Sequence, residues 1–332
     1  MLEPLTPRQA VQDYLNGRTD LTQSSKENHD YRLRRFVEWC DENGIDNLNE
    51  INGRHLHRYK VWRAEDVNNV TLKNQLGTVR VFLRFCEKMD AVEDGTSEKL
   101  ELPELGMDED VDDTTISSEE AEAILSYLQT YEYATLRHVI FQLLWHTGIR
   151  TSTLFAFDVD DFYPREGYIK AVHRPQAETP LKNKERGERE INLSEEVVQV
   201  VQDYLDKHHP KAEDDHGRIP LIGTSAGRAH KTTIRENIYR ITRPCHYTNE
   251  CPHNRTQDDC KAARSKHASK CPSSVSPHAI RKGSITHHRN NGWPAKAVSD
   301  RANVSQEVLD KHYDKGTPGQ KRKRRKEFLN KL

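Results

Sequence analysis

The sequence predicts two domains: a helical N-terminal domain, and a C-terminal domain that is mainly α with a small antiparallel β-sheet. Three observations carry this expectation. Apolar residues recur at helical spacing within 33–40 and again within 72–86. An acidic stretch, VEDGTSEKLELPELGMDEDVDD, has Gly and Pro but no apolar period, and it divides the chain. Beyond it lie further helical runs and two short strand-like runs around a lysine-rich polar turn. A chain of 332 residues is long enough to bury two cores. The expected boundaries are a helical domain over 1–92, an acidic linker over 93–114 and a second domain over 115–332.

The elements follow in order. In SSKENHDYRLRRFVEWCDENG, Leu33, Phe36, Val37 and Cys40 share one helix face, Ser24 or Ser25 can cap the start, and Gly44 can end it. TLKNQLGTVRVFLRFCEK repeats the pattern through Leu72, Leu76, Val79, Leu83 and Cys86. Arg32, Arg34, Arg35, Lys73, Arg80 and Arg84 lie between the stripes, either as a phosphate-binding face or as an ordinary solvated one. After the linker, SSEEAEAILSYL reads as a helix cap and an amphipathic run starting near Ile116. ATLRHVIFQLLWHTG is a densely apolar helix ending at Gly148, and TSTLFAF is a short one. GYIKAVHR and REINLS read as strands. EEVVQVVQDYLDKH is a helix by Val197, Val198, Val201 and Leu205, and Pro294 suits a first helical turn near the end.

Charged residues make up 31% of the chain and the mean hydropathy is -0.93, so no run approaches the roughly 18 apolar residues of a membrane span. The start, MLEPLTPRQAVQDY, lacks the basic and apolar regions of a signal peptide, and a cytoplasmic protein is expected. The net charge of -1 hides an acidic linker and a basic KRKRRKEF near the end.

Six cysteines are present. Cys40 and Cys86 fit the apolar stripes and read as buried thiols. Cys245, Cys251, Cys260 and Cys271 crowd into an insertion over 244–272, which in an intracellular chain favours a metal over disulfides. They suit a tetrahedral structural zinc site, with His253 or His267 able to replace one thiolate. The alternative is a cluster of reduced cysteines in a loop.

Four pieces of sequence carry chemistry. HTGIRTSTLFAF places Arg150 just past a glycine at a helix end. LKNKERGERE is the lysine-rich turn, with Lys182 and Lys184 as candidates. SPHAIRKGS puts His278 and Arg281 on one helix face. VLDKHYDK supplies Tyr313. Together they suit phosphodiester exchange without an energy cofactor. A tyrosine can attack the phosphate and store its energy in a covalent bond. Two guanidiniums can hold the non-bridging oxygens. A lysine can protonate the departing 5′ oxygen, and a histidine can assist proton transfer at the phenol. No cofactor enters this scheme. Taken singly, Arg150 reads as a capping residue, His278 as a core histidine and Tyr313 as a packing aromatic; their joint order favours the site.

These segments resemble the tyrosine recombinase (phage integrase) family, to which the XerC and XerD recombinases belong. HTGIR is similar to its T-G-[LM]-R box and PHAIRKGSITH to its H-x-[LF]-R-H box, over a stretch of 116–317. The resemblance implies a core-binding, SAM-like DNA-binding domain at the N-terminus and a catalytic domain after it, the two closing on duplex DNA like a clamp. It implies phosphate-binding roles for Arg150 and Arg281, a catalytic His278 and the nucleophile Tyr313. It further implies a 3′-phosphotyrosyl intermediate and four protomers on paired DNA sites. The cysteine-bearing insertion resembles archaeal integrases of this family. The chain departs from the pattern where the family has a second His or Trp shortly before the tyrosine. DRANVS offers Asn303 there, as a single hydrogen-bond donor. That departure supports a rival reading, a catalytically inactive DNA-binding regulator. A topoisomerase of related chemistry is the other.

Overall fold

The computed structural model describes residues 4–106, 109, 110, 112–256, 258–313 and 316–329, with the side chains at all of these positions except 265, 312, 324 and 327–329. The chain divides into two compact units, 1–112 and 113–332.

The first unit is built from helices α1 (Pro7–Gly17), α2 (Gln23–Glu42), α3 (Gly53–Ala64) and α4 (Asn69–Lys88). Each begins at a side-chain oxygen that accepts a free first-turn N–H, from Thr6, Thr22, Asn52 and Asn68 in turn. Ser24 and Ser25 therefore lie inside α2, which starts two or three residues earlier than the sequence suggested; the Ser25 N–H donates to Thr22 Oγ1 at 3.3 Å. The two predicted apolar stripes meet in one core. Cys40 and Cys86 are fully buried in it, and burial pushes both thiols up to about 12, so they are packing groups.

Two features of this unit bear on the linker and on the basic faces. The start of the acidic stretch packs onto it: Val92 and Leu100 belong to its core, and Arg80 Nε donates to the Leu100 carbonyl at 3.1 Å. The few apolar side chains in that stretch suffice to anchor it. Most of the basic side chains singled out above also have internal partners. Arg34 pairs with Asp30, Arg35 with Glu38 and Arg84 with Glu98, while Arg32 donates to Thr78.

In the second unit, α5 (Ser118–Tyr131) opens with a capping box between Ser117 and Glu120. Helix α6 (Leu136–Thr147) is buried on nearly all sides and forms the centre of the core. It ends at Gly148, whose φ of 63° is left-handed, and α7 (Thr151–Ala156) follows at once. Strands β1 (Phe162–Tyr163), β2 (Tyr168–Ala171) and β3 (Arg189–Asn192) form an antiparallel sheet in that order, with Ile169 opposite Ile191. β2 is shorter than GYIKAVHR because Arg174 turns away to Asp161, at 2.6 Å, and the His173 N–H donates to Glu188. Helix α8 (Glu195–Lys207) buries Val197, Val200, Val201 and Tyr204. A small hairpin, β4 (Gly223–Thr224) and β5 (Gly227–Arg228), leads to α9 (Lys231–Ile241) and α10 (Pro244–Tyr247).

The chain ends with α11 (Pro277–Asn290), α12 (Ala295–Ala302), α13 (Gln306–Val308), a π-helical turn over Leu309–Tyr313 and α14 (Pro318–Leu329). Pro294 caps α12 from just outside it. Gly283 lets α11 run against the chain before α5. A Cβ there would collide with the Ile116 carbonyl oxygen and stand 3.1 Å from the Trp145 ring. Among the described residues no helix is long and apolar enough to cross a membrane.

Beside the sheet is a buried network of paired charges. Arg174, Arg218 and Arg228 share Asp158, Asp161 and Asp214, with Arg218 2.8 Å from Asp158 and Arg228 2.8 Å from Asp214. Each guanidinium there meets at least one carboxylate.

Candidate active site

A second group of arginines in the same unit is built the opposite way. Arg150 follows the left-handed turn at Gly148 and starts α7, so its side chain leaves the end of the central helix. Its Nη1 donates to the Asn303 carbonyl at 2.7 Å. Arg281, one turn after His278 on α11, is 1% exposed. Its Nη1 donates to the carbonyls of Gly148 at 2.6 Å and Ala302 at 2.7 Å. Arg189, the first residue of β3, donates to the Arg301 carbonyl at 2.8 Å and to the Gly187 carbonyl. Arg301, on α12, donates to the His146 carbonyl at 3.1 Å.

Four guanidiniums are thus gathered by main-chain carbonyls from the ends of α6, α12 and the turn before β3. All four are held below their ordinary pKa, by burial first. For Arg189 the charges of Arg281, Arg150 and Arg301 add to the effect, and for Arg281 that of Arg150. No carboxylate among the described residues offsets them. Nε and Nη2 of Arg281, Nη2 of Arg189 and Nε of Arg301 are buried with no hydrogen-bond partner there. Buried donors left open next to a concentration of positive charge are suited to an anion with several oxygens.

Tyr313 stands against this cluster. The Arg281 guanidinium carbon is 4.9 Å from its ring centroid, and the His278 ring is 5.4 Å away, edge to face. The tyrosine is 5% exposed and packs with Ile285, Val298, Ala302, Val304 and Leu309. Its main chain is fixed from α11, where Thr286 Oγ1 donates to the Tyr313 carbonyl at 2.9 Å. His278 itself is exposed at the first turn of α11.

Asn303 joins the parts. Its φ of 51° lies in the left-handed region, which Asn tolerates better than most residues and which ends α12. Its carbonyl holds Arg150, and its side-chain Oδ1 accepts from Asn183 Nδ2 at 2.9 Å. Asn183 sits between Lys182 and Lys184, so this bond ties the lysine turn to the arginine cluster. Gly187 makes the approach possible, since a Cβ there would meet the Asn303 amide nitrogen at 3.0 Å. Both lysines are exposed.

The structure therefore brings together Arg150, Arg281, His278, Asn303, Tyr313 and the turn carrying Lys182 and Lys184. Sequence reasoning passed over Arg189, Arg301, Asn183 and Thr286. Arg301 and Arg189 each lie beside a residue already noted, but nothing in a linear pattern shows that their carbonyl and guanidinium meet.

The cysteine insertion lies apart from this centre. Cys245, Cys251 and Cys260 line one cavity of roughly 390 Å³, and Cys271 is buried close by. His253 is engaged elsewhere, with Nε2 2.9 Å from Ser273 Oγ. Among the described residues no three His, Cys, Asp or Glu side chains already stand in a metal-holding arrangement.

Residues 10–89 match the phage integrase N-terminal SAM-like domain, and residues 114–313 match the phage integrase family. No curated protein matches the chain. Among solved structures, it is similar to the Tn1549 transposon integrase in complex with a circular intermediate DNA. That match has 16% identity and a TM-score of 0.71, covering 98% of this chain and 99% of that one. It is also similar to a lambda integrase dimer bound to a core site, at 11% identity and a TM-score of 0.65, over 95% of this chain and 79% of that one. A third match, at 34% identity and a TM-score of 0.30, is the N-terminal domain of a phage integrase/site-specific recombinase from Haloarcula marismortui, covering 30% of this chain and 99% of that domain. At such identities the first two likenesses concern the fold, whereas the family match spans the segment that carries Arg150, Arg281 and Tyr313. The chain belongs to the phage integrase family.

Proposed function

We propose that this chain is a site-specific DNA recombinase that cuts and rejoins duplex DNA through Tyr313. The observation that carries the reading is the cluster of buried and half-buried guanidiniums, unpaired with any carboxylate among the described residues and packed against a tyrosine. A scissile phosphate supplies the missing negative charge. Arg150 and Arg281 hold its non-bridging oxygens and offset the charge that grows as the phenol oxygen attacks. The Tyr313 oxygen forms a bond to phosphorus as the bond to the 5′ oxygen breaks, leaving a 3′-phosphotyrosyl link. His278 assists removal of the phenolic proton, and either Lys182 or Lys184 protonates the leaving 5′ oxygen. Rejoining reverses these steps with the 5′ hydroxyl of a partner strand. Asn303 stands where relatives carry a second His or Trp. Its amide supplies one hydrogen bond and, through Asn183, positions the lysine turn.

Mixing two DNA sites with the protein tests the reading. Exchanged strands support recombination. Relaxation of supercoiled plasmid without exchange supports the topoisomerase alternative, and binding without any covalent adduct supports the inactive regulator. The lysine is assigned with a substrate whose leaving 5′ oxygen is replaced by sulfur, which departs without protonation. The alanine variant of the acting lysine, Lys182→Ala or Lys184→Ala, regains cleavage on that substrate and the other has little to regain. Recombination further calls for four protomers on paired sites. The basic residues of α14, which packs on α11 within the chain, are candidates to reach a neighbouring protomer in that assembly.

A further inference from the structure

We propose that Cys245, Cys251, Cys260 and Cys271 form a structural zinc site whose charge is balanced by arginines and which fastens the start of α11. Three observations converge. First, thiols from separate turns come together: Cys245, Cys251 and Cys260 line one cavity, and Cys271, at the end of the short helical turn that follows, is buried. Second, the turn that follows Cys260 is held in place from both sides: the Ala263 N–H donates to the Cys260 carbonyl at 2.9 Å, and the buried Arg243 donates to the Ala262 carbonyl. Third, the cavity is lined by Arg240, Arg243 and Arg255 and, among the described residues, by no carboxylate. Guanidiniums around uncharged thiols would have nothing to neutralise. Zinc bound by four thiolates carries net negative charge, and these three arginines offset it.

The sulfurs are gathered but not yet in a metal-holding arrangement, so binding is coupled to a small closure of the insertion. His253, turned to Ser273, is left out of the ligand set. What the closure secures follows from the chain after Cys271. Ser274 Oγ donates to the Cys271 carbonyl at 3.0 Å, the Val275 N–H donates to Thr242 Oγ1 at the end of α9, and Ser276 caps α11. The next residues are Pro277 and His278. On the other side, Arg243 donates to the Ala262 carbonyl, and His246 meets Glu132 at the end of α5. Zinc would lock this chain of contacts, which leads directly into the helix that carries His278 and Arg281.

The test uses the full chain purified without an affinity tag that binds metal, and needs no DNA. Zinc is measured after denaturation, and cobalt(II) is then added to metal-free protein. The expected result is one zinc per chain, and with cobalt the visible bands and sulfur charge-transfer absorption of a tetrahedral thiolate site. Cys251→Ser and Cys260→Ser should lose both, and His253→Ala should keep both. Amide hydrogen exchange of metal-free protein should speed up over 245–280 while the first unit is unchanged, which separates a local effect from general unfolding. Protein that takes up neither metal, or retains full zinc in every single Cys→Ser variant, overturns the site. Unaltered exchange at 272–280 on metal removal overturns the link to α11.

Discussion

Two groups of arginines in the second unit make an instructive contrast. Arg174, Arg218 and Arg228 are matched by Asp158, Asp161 and Asp214, so their charge is consumed within the fold. Arg150, Arg189, Arg281 and Arg301 are just as firmly held, but by carbonyl oxygens, which orient a guanidinium without neutralising it. The first arrangement is what a stable core tolerates. The second leaves open donors and positive charge in a low-dielectric setting, which costs stability and, in the function proposed above, is offset by a DNA phosphate. Composition alone, at a net charge of -1, conceals this division.

The largest effect expected from the contrast is on cleavage. Arg281→Lys keeps a positive charge but loses the fork, and the cleavage rate should fall by about 10²–10³. Its melting temperature should change little. Arg228→Met in the paired network should do the reverse. It leaves Asp158 and Asp214 short of a partner and should cost about 3 kcal/mol in denaturant unfolding, with the cleavage rate of the folded fraction retained. If both variants lose activity and stability in parallel, the division between the two groups is wrong.

Much of this could be read from the linear sequence, for stated reasons. Arg150 is marked by the glycine stop before it, His278 and Arg281 by their helical spacing, and the two cores by apolar periodicity. The short β-strands and the acidic stretch were harder to delimit, because their ends are set by single contacts such as Arg174 with Asp161 and Arg80 with Leu100. Arg189, Arg301 and the Asn183–Asn303 bond have no linear signature. They depend on the sheet turn meeting the end of α12, a contact between segments far apart in sequence.

The smallest effect is on pH dependence. Burial holds His146 down to about 3 and His138 to about 4, with the nearby Arg301 and His288 adding to the effect on His146. Unfolded, each takes up a proton near its ordinary value of about 6.5. Between that value and the folded one the unfolded chain binds more protons, so stability is full above about 6.5 and falls as the pH drops toward 4. Arg228 helps hold Asp214 below the usual carboxylate range against the opposing effect of burial, so the paired network weakens at lower pH than the histidines do. His146→Asn should flatten the upper part of the stability profile and leave the lower part unchanged. An unaltered slope between pH 6.5 and 4 in that variant would remove His146 from the explanation.

The most direct measurement is covalent capture on a nicked suicide duplex, followed by denaturing electrophoresis and peptide mapping of the adduct. The duplex carries sequence recovered by selection for binding to this chain. The account predicts an adduct on the peptide containing Tyr313, abolished in Tyr313→Phe while DNA binding persists. An adduct mapped to any other residue, or formed in full yield by Tyr313→Phe, would contradict it.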